Sequence, residues 1–220
     1  MADLSLGSRL FYQALRRTLA AFFRVWLRLE VHGAENIPET GGFVLAPGAH
    51  RSILDTPVVG ISSGRMLRYM GADKYFAVPV FGWFLTAVGG FPVEREFTDR
   101  AALRLAQSLL EDGHPLVVFP EATRFEGPLV QPLKEGAAFL ACRAGTPLVP
   151  IGIGGAQRAL PIGGRFLRPT KVVLVVGEPI WPPAVEAGGR AKRSQVHAMS
   201  NELHQTLQAL FDEAQIKAGA

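Results

Sequence analysis

Cys142 is the only cysteine among 220 residues, so no intrachain disulfide can staple this chain and no set of thiolates can hold zinc. A reducing, cytoplasmic compartment is the simplest expectation. Acidic residues are missing between Asp3 and Glu30, and the charge-free runs of that stretch are short. None approaches the roughly 20 residues that cross a bilayer, and the apolar centre and cleavage site of a signal peptide are lacking as well. Gly152-Ile153-Gly154-Gly155 follows an apolar run but extends to neither a Gly-x-Gly-x-x-Gly nor a P-loop. Nucleotide binding is therefore set aside, and those glycines are assigned to turn chemistry. His32, His114, His197 and His204 have no ligand spacing with His50, so no metal site is expected. Internal repeats and low-complexity segments are absent too.

Apolar residues make up 48% of the chain, enough for one sizeable core, and one domain is the default at this length. The net charge of +4 favours an anionic partner, and the N-terminus indicates which. Arg9, Arg16, Arg17, Arg24 and Arg28 alternate there with aromatic and aliphatic residues. On a helix they fall within an arc of roughly 120°, with Phe11, Leu15, Leu19, Phe22, Trp26 and Leu29 opposite. Residues 1–30 are thus read as an amphipathic arm, its apolar face among acyl chains and its arginines at the headgroups of an anionic membrane. Nucleic acid would also suit the charge, but a wide apolar face and the lack of a recognition motif speak against it.

From residue 31 onward strand and helix alternate. Apolar runs bounded by Gly or Pro predict buried strands at 43–46, 67–71, 116–119, 148–153 and 171–176, and helical patterns fit 52–60, 99–112, 133–144 and 193–216. The pattern predicts an α/β layered domain over 31–220, helices flanking a largely parallel or mixed sheet. Residues 177–190, rich in Pro and Gly, read as a surface connection. Residues 75–93 carry no charge, yet Pro79, Gly82, Gly89, Gly90 and Pro92 argue against one continuous helix.

The chemistry concentrates in Ala49-His50-Arg51-Ser52-Ile53-Leu54-Asp55, at a strand end opening into a helix, where open α/β folds place their sites. A carboxylate on one imidazole nitrogen fixes the tautomer and frees the other to take a proton from a hydroxyl. Ser52 lacks a nucleophile-elbow sequence around it and is assigned to the helix start. Three more segments follow in order: Gly89-Gly90-Phe91-Pro92-Val93-Glu94-Arg95, Phe119-Pro120-Glu121-Ala122-Thr123-Arg124, and Gly145-Thr146-Pro147-Leu148-Val149-Pro150-Ile151. Together these four segments, covering about 41–153, resemble the ordered motifs of the glycerolipid acyltransferase family, which acylates glycerol 3-phosphate and 1-acylglycerol 3-phosphate. Three positions depart from the family pattern: Ala49 stands for Asn, Ala122 for Gly and Phe125 for Ser.

The resemblance implies a peripheral enzyme at the cytoplasmic face of the cell membrane. It would move a fatty acyl group from acyl-CoA or acyl carrier protein, as co-substrate and without a cofactor, onto 1-acylglycerol 3-phosphate to form phosphatidate or, alternatively, onto glycerol 3-phosphate or another lipid acceptor. His50 would be the base and Asp55 its orienting acid. Arg95 and Arg124, with Lys74 as an added charge, are the implied phosphate-binding residues. Glu121 and Thr123 are candidates for binding the acceptor or organising the loop. Phe76, Phe81, Trp83, Phe84 and Phe91 are implied as a wall around the acyl chain. A non-catalytic lipid-binding module is the alternative of another class, but it would have no use for His50, Asp55, Arg95 and Arg124 together.

Overall fold

A computed structural model describes residues 6–93, 100–184 and 191–220. In chain order its elements are α1 (Leu6–Trp26), β1 (Glu30–His32), β2 (Val44–Pro47), α2 (Asp55–Ser62), β3 (Arg68–Ala72), α3 (Asp73–Phe76), α4 (Pro79–Ala87), β4 (Gly90–Val93), α5 (Arg100–Glu111), β5 (Leu116–Val117), α6 (Gly136–Ala144), β6 (Leu148–Gly154), α7 (Ala156–Ala159), β7 (Val173–Val176) and α8 (Arg193–Ala218). Among the described residues seven strands form one sheet in the order β1-β7-β6-β2-β5-β3-β4. Every neighbouring pair is parallel except β6 with β7. The charge-free stretch 75–93 divides among α3, α4 and β4, because Pro79 can open a helix and Gly89, at φ 92°, can end one.

Side chains alternate across each strand, and this separates two cores. Val44, Ala46, Leu116 and Leu148 face α5, α6 and α8. Leu45, Val117, Val149, Ile151 and Ile153 face α1, α2 and α7. On β6 the alternate positions are Gly152 and Gly154, and they are not turn residues. A methyl group on either would collide with the backbone of α8 at Leu210 or Ala214, so the long C-terminal helix lies directly on the strand. The same alternation moves Phe91 to the α5–α6 side, where it is buried in the core, while its neighbour Gly90 faces the other way.

The N-terminal segment packs along one side on the domain. Tyr12, Phe23, Leu27 and Leu29 are buried, Phe23, Leu27 and Leu29 within the core shared with α2, and Glu30 already belongs to β1. The spacing of residues 12, 16, 19, 23 and 27 makes a stripe that docks on the domain, about a quarter-turn from the face read in the sequence. Residues 177–190 are not wholly a surface loop, since the partly described segment bridges back to the sheet through Ile180 and Leu148. Among the described residues no helix is long and apolar enough to cross a membrane.

Candidate active site

Central strand β2 delivers the chain to its C-terminal edge, where Gly48 N–H is held by the Ile151 carbonyl at 2.9 Å. Ala49 then takes a left-handed conformation, φ 55°, which turns His50 out of the sheet. Asp55 is fully buried as the first residue of α2. Its Oδ2 accepts from His50 Nδ1 at 2.8 Å, from the Arg51 amide at 2.8 Å and from the Ser52 amide at 2.9 Å. A carboxylate so placed fixes the proton on Nδ1 and leaves Nε2 as an acceptor. The His50 side chain, 16% exposed, rests against the Phe119 ring with 4.3 Å between centroids.

A second turn faces the first. After β5 the chain passes through Ala122, also left-handed at φ 61°, and the Phe125 amide donates to the His50 carbonyl at 3.0 Å. Glu121 joins the two turns. Its Oε1 accepts from the His50 amide at 3.0 Å, and its Oε2 from the Gln131 amide at 3.0 Å and from Arg51 Nη1 at 3.4 Å. Arg51 is only 2% exposed. It donates further to the Gly127 and Leu129 carbonyls and lies over the Phe211 ring of α8. Both Glu121 oxygens are therefore engaged by the protein itself, so of its two candidate roles the geometry is that of a loop organiser. Thr123 is exposed on the same loop and has no side-chain hydrogen bond among the described residues. Ser52, buried ahead of α2, donates from Oγ to the Leu160 carbonyl at 2.6 Å and accepts from the Leu54 amide.

His50 and Arg124 open onto an apolar cavity of about 690 Å³. Its walls come from α1 (Tyr12, Leu15, Arg16, Leu19), α2 (Thr56, Pro57, Gly60), β3 (Tyr69, Gly71) and the α3–α4 region (Tyr75, Phe76, Phe81, Phe84). Of the five implied wall residues, Phe76, Phe81 and Phe84 line it. Phe91 is on the far side of the sheet, and Trp83 points outward onto Phe11, 5.7 Å between ring centroids. Lys74 is exposed over the Tyr75 ring and does not reach the lining. Arg95 lies outside the described residues.

The α1 contribution to this cavity was missed in the sequence, although the signal was there in the 12-16-19-23 spacing. Arg16, read as a headgroup arginine, is half-buried and donates to the Ser63 carbonyl at 3.1 Å. The C-terminal end of α2 offers that acceptor, which draws the side chain inward. Arg17, Arg24 and Arg28 are exposed, as are Phe11, Phe22 and Trp26; the side chain of Arg9 is outside the described residues. Burial pushes the Tyr12 phenol up, and burial together with nearby Tyr12 pushes Tyr69 well above its ordinary value, so both stay neutral in the cavity wall. Cys142 is buried in the core and its thiol is likewise raised by burial, the behaviour of a packing residue.

The Acyltransferase family model matches residues 28–154, more than half of the chain and the whole of the site just described except for α1, Leu160 and Phe211. The chain belongs to the acyltransferase family. Among acyltransferase relatives, the 1-acyl-sn-glycerol-3-phosphate acyltransferase of Bacillus subtilis is 28% identical over 183 residues, covering 83% of this chain and 87% of the relative. The chloroplast 1-acyl-sn-glycerol-3-phosphate acyltransferase of Brassica napus is 27% identical over 157 residues, 70% of this chain but 45% of the plant protein; the chain thus spans under half of that relative. The crystal structure of the 1-acyl-sn-glycerophosphate acyltransferase PlsC from Thermotoga maritima superposes with a TM-score of 0.76 at 23% identity, over 97% of this chain and 83% of the other. That likeness establishes a shared fold, the α/β domain with a mostly parallel sheet. Against the family's motifs, two of the three departures fall on the left-handed residues. Asn and Gly adopt that conformation readily, and alanine does so at a cost of about 1–2 kcal/mol.

Proposed function

We propose that the protein is a 1-acylglycerol-3-phosphate O-acyltransferase that forms phosphatidate, with an acyl thioester of coenzyme A or acyl carrier protein as donor. The observation that carries this reading is the His50–Asp55 pair standing with Arg124 at the mouth of one apolar cavity. The names of relatives along nearly the full chain support the acceptor.

In this mechanism Asp55 holds Nδ1–H, and His50 Nε2 removes the proton of the acceptor's free hydroxyl as its oxygen attacks the thioester carbonyl carbon. The tetrahedral intermediate collapses with rupture of the C–S bond. The departing thiolate takes the proton from the imidazolium, an ester is formed, and His50 returns to its starting state. Acceptor and donor react directly, without an acyl-enzyme or a cofactor. Arg124 binds the acceptor's phosphate, with Arg95 as the second candidate. The cavity holds a fatty acyl chain against Phe76, Phe81 and Phe84. Glu121 acts through His50's backbone and is a positioning residue.

Membrane association is part of the same proposal. Phe11, Phe22, Val25 and Trp26 on α1, with Val80 and Trp83 on α4, expose apolar surface beside the cavity, and Arg17, Arg24 and Arg28 supply charge for anionic headgroups. A peripheral location at the cytoplasmic face is proposed with it. Purified enzyme offered 1-acylglycerol 3-phosphate and glycerol 3-phosphate, each with acyl-CoA and acyl carrier protein donors, tests it. Phosphatidate from the first acceptor is expected, and transfer to glycerol 3-phosphate alone would overturn the acceptor assignment.

A further inference from the structure

The connection from α7 to β7 has not entered the chemistry, yet it begins at the active site. Leu160 lines the cavity and its carbonyl is held by Ser52 Oγ. The Arg168 amide returns to the Ala159 carbonyl at 2.9 Å, which closes residues 159–168 into a loop. Leu167 anchors this loop by packing on the α1–α2 side of the core. Its tip is apolar and unusually open, with Phe166 83% exposed and Ile162 41% exposed. Arg165 and Arg168 are exposed beside them.

Two observations say what covers this tip. The first is charge: no acidic residue occurs between Glu135 and Glu178, and the nearby Glu30 is already paired with Lys171 at 2.8 Å. The second is continuity with α1. Trp26 Nε1 donates to the Leu167 carbonyl at 3.2 Å, so the loop stands beside the exposed Trp26 and the Phe22 ring stacked on it. Exposed aromatic rings flanked by Arg165 and Arg168 match the chemistry of an anionic bilayer surface, where the ring enters the acyl boundary and the guanidinium groups meet phosphates.

We infer that the 159–168 loop is a second membrane-contact element, which binds anionic phospholipid together with the C-terminal half of α1. This rests on the membrane reading of α1 proposed above. Lipid contact would then be made from two directions around the cavity, by the α1–α4 rim and by the loop that starts at Leu160. The mouth above His50 would face the layer in which an amphiphilic acceptor resides.

The test is co-sedimentation of the full chain with vesicles of phosphatidylcholine alone and of phosphatidylcholine mixed with phosphatidylglycerol. Replacing Arg165 and Arg168 together by Ser should lower the partition coefficient on the anionic vesicles about 30-fold, the scale of two basic residues at such a surface, and leave the neutral vesicles nearly unchanged. Phe166→Ser should lower it about tenfold on both, the scale of one exposed ring. Turnover of a water-soluble, short-chain acceptor should be unaffected by either change. Loop variants that bind anionic vesicles as the intact chain does, while a Phe22→Ser/Trp26→Ser variant is released, would overturn the inference and spare the α1 reading. An intact chain that does not bind anionic vesicles would overturn both.

Discussion

Replacing Glu121 by Gln separates a residue that binds substrate from one that holds the site in shape. The carboxylate accepts from two backbone amides, of His50 and Gln131, and is the anion facing Arg51 Nη1 at 3.4 Å. With Arg51 only 2% exposed, the amide would leave a buried guanidinium with carbonyls and a ring but no opposite charge. Breaking a buried pair from one side costs about 3–5 kcal/mol. The Gly127 and Leu129 carbonyls and the Phe211 ring retain part of the guanidinium's environment, so about 3 kcal/mol is expected. For a domain of this size each kcal/mol moves Tm by about 2–4 °C, hence a fall of about 6–12 °C. Far-UV circular dichroism on heating measures that fall. A steady-state assay in parallel should show kcat reduced more than the acceptor KM is raised, because the His50 turn loses its tie. A Glu121→Gln protein with unchanged Tm and a raised acceptor KM alone would refute the reasoning and make Glu121 a substrate ligand.

Ala122→Gly should stabilise the protein by about 1 kcal/mol, because glycine relieves the left-handed strain, and a Tm higher by about 2–4 °C would register it. Arg124→Ala should lower kcat/KM for 1-acylglycerol 3-phosphate about ten- to a hundredfold, the scale of one charge-assisted hydrogen bond, but much less for a neutral monoacylglycerol; equal losses would point to a structural role. Leu15→Trp intrudes on the cavity from α1 and should shift donor preference toward shorter chains at least tenfold, since each methylene that no longer fits is worth about 1–3 kcal/mol. A competition assay with donors of mixed length reads that ratio.

The strands of the sheet's centre were legible because β2, β5 and β6 are unbroken apolar runs, buried on both faces, that end in Gly or Pro. β1 and β4 were not: Glu30–His32 is a short edge strand with charged and polar residues, and β4 carries a glycine and a proline that read as loop. His50 and Asp55 lie within six consecutive residues, and local sequence was enough to bring them together. Glu121 and Arg51 meet across about seventy residues, and nothing local distinguishes a loop-organising carboxylate from an acceptor-binding one. The wall of the cavity depended on strand phase, which sent Phe91 to the opposite core, and on the rotation of α1. Periodicity sorted its arginines from its aromatics but could not tell which face the domain covers. Arg16 turned inward because the α2 terminus supplies a carbonyl there.

The central claim is that His50 Nε2 takes the proton of the acceptor hydroxyl. Its most direct test is the turnover of purified His50→Ala with acyl-CoA or acyl carrier protein donor and 1-acylglycerol 3-phosphate, alongside a thermal scan showing that the fold is kept. The account predicts a loss of roughly 10²-fold or more in kcat at nearly unchanged Tm. Near-normal phosphatidate formation by the folded variant, free of contaminating acyltransferase, would contradict it.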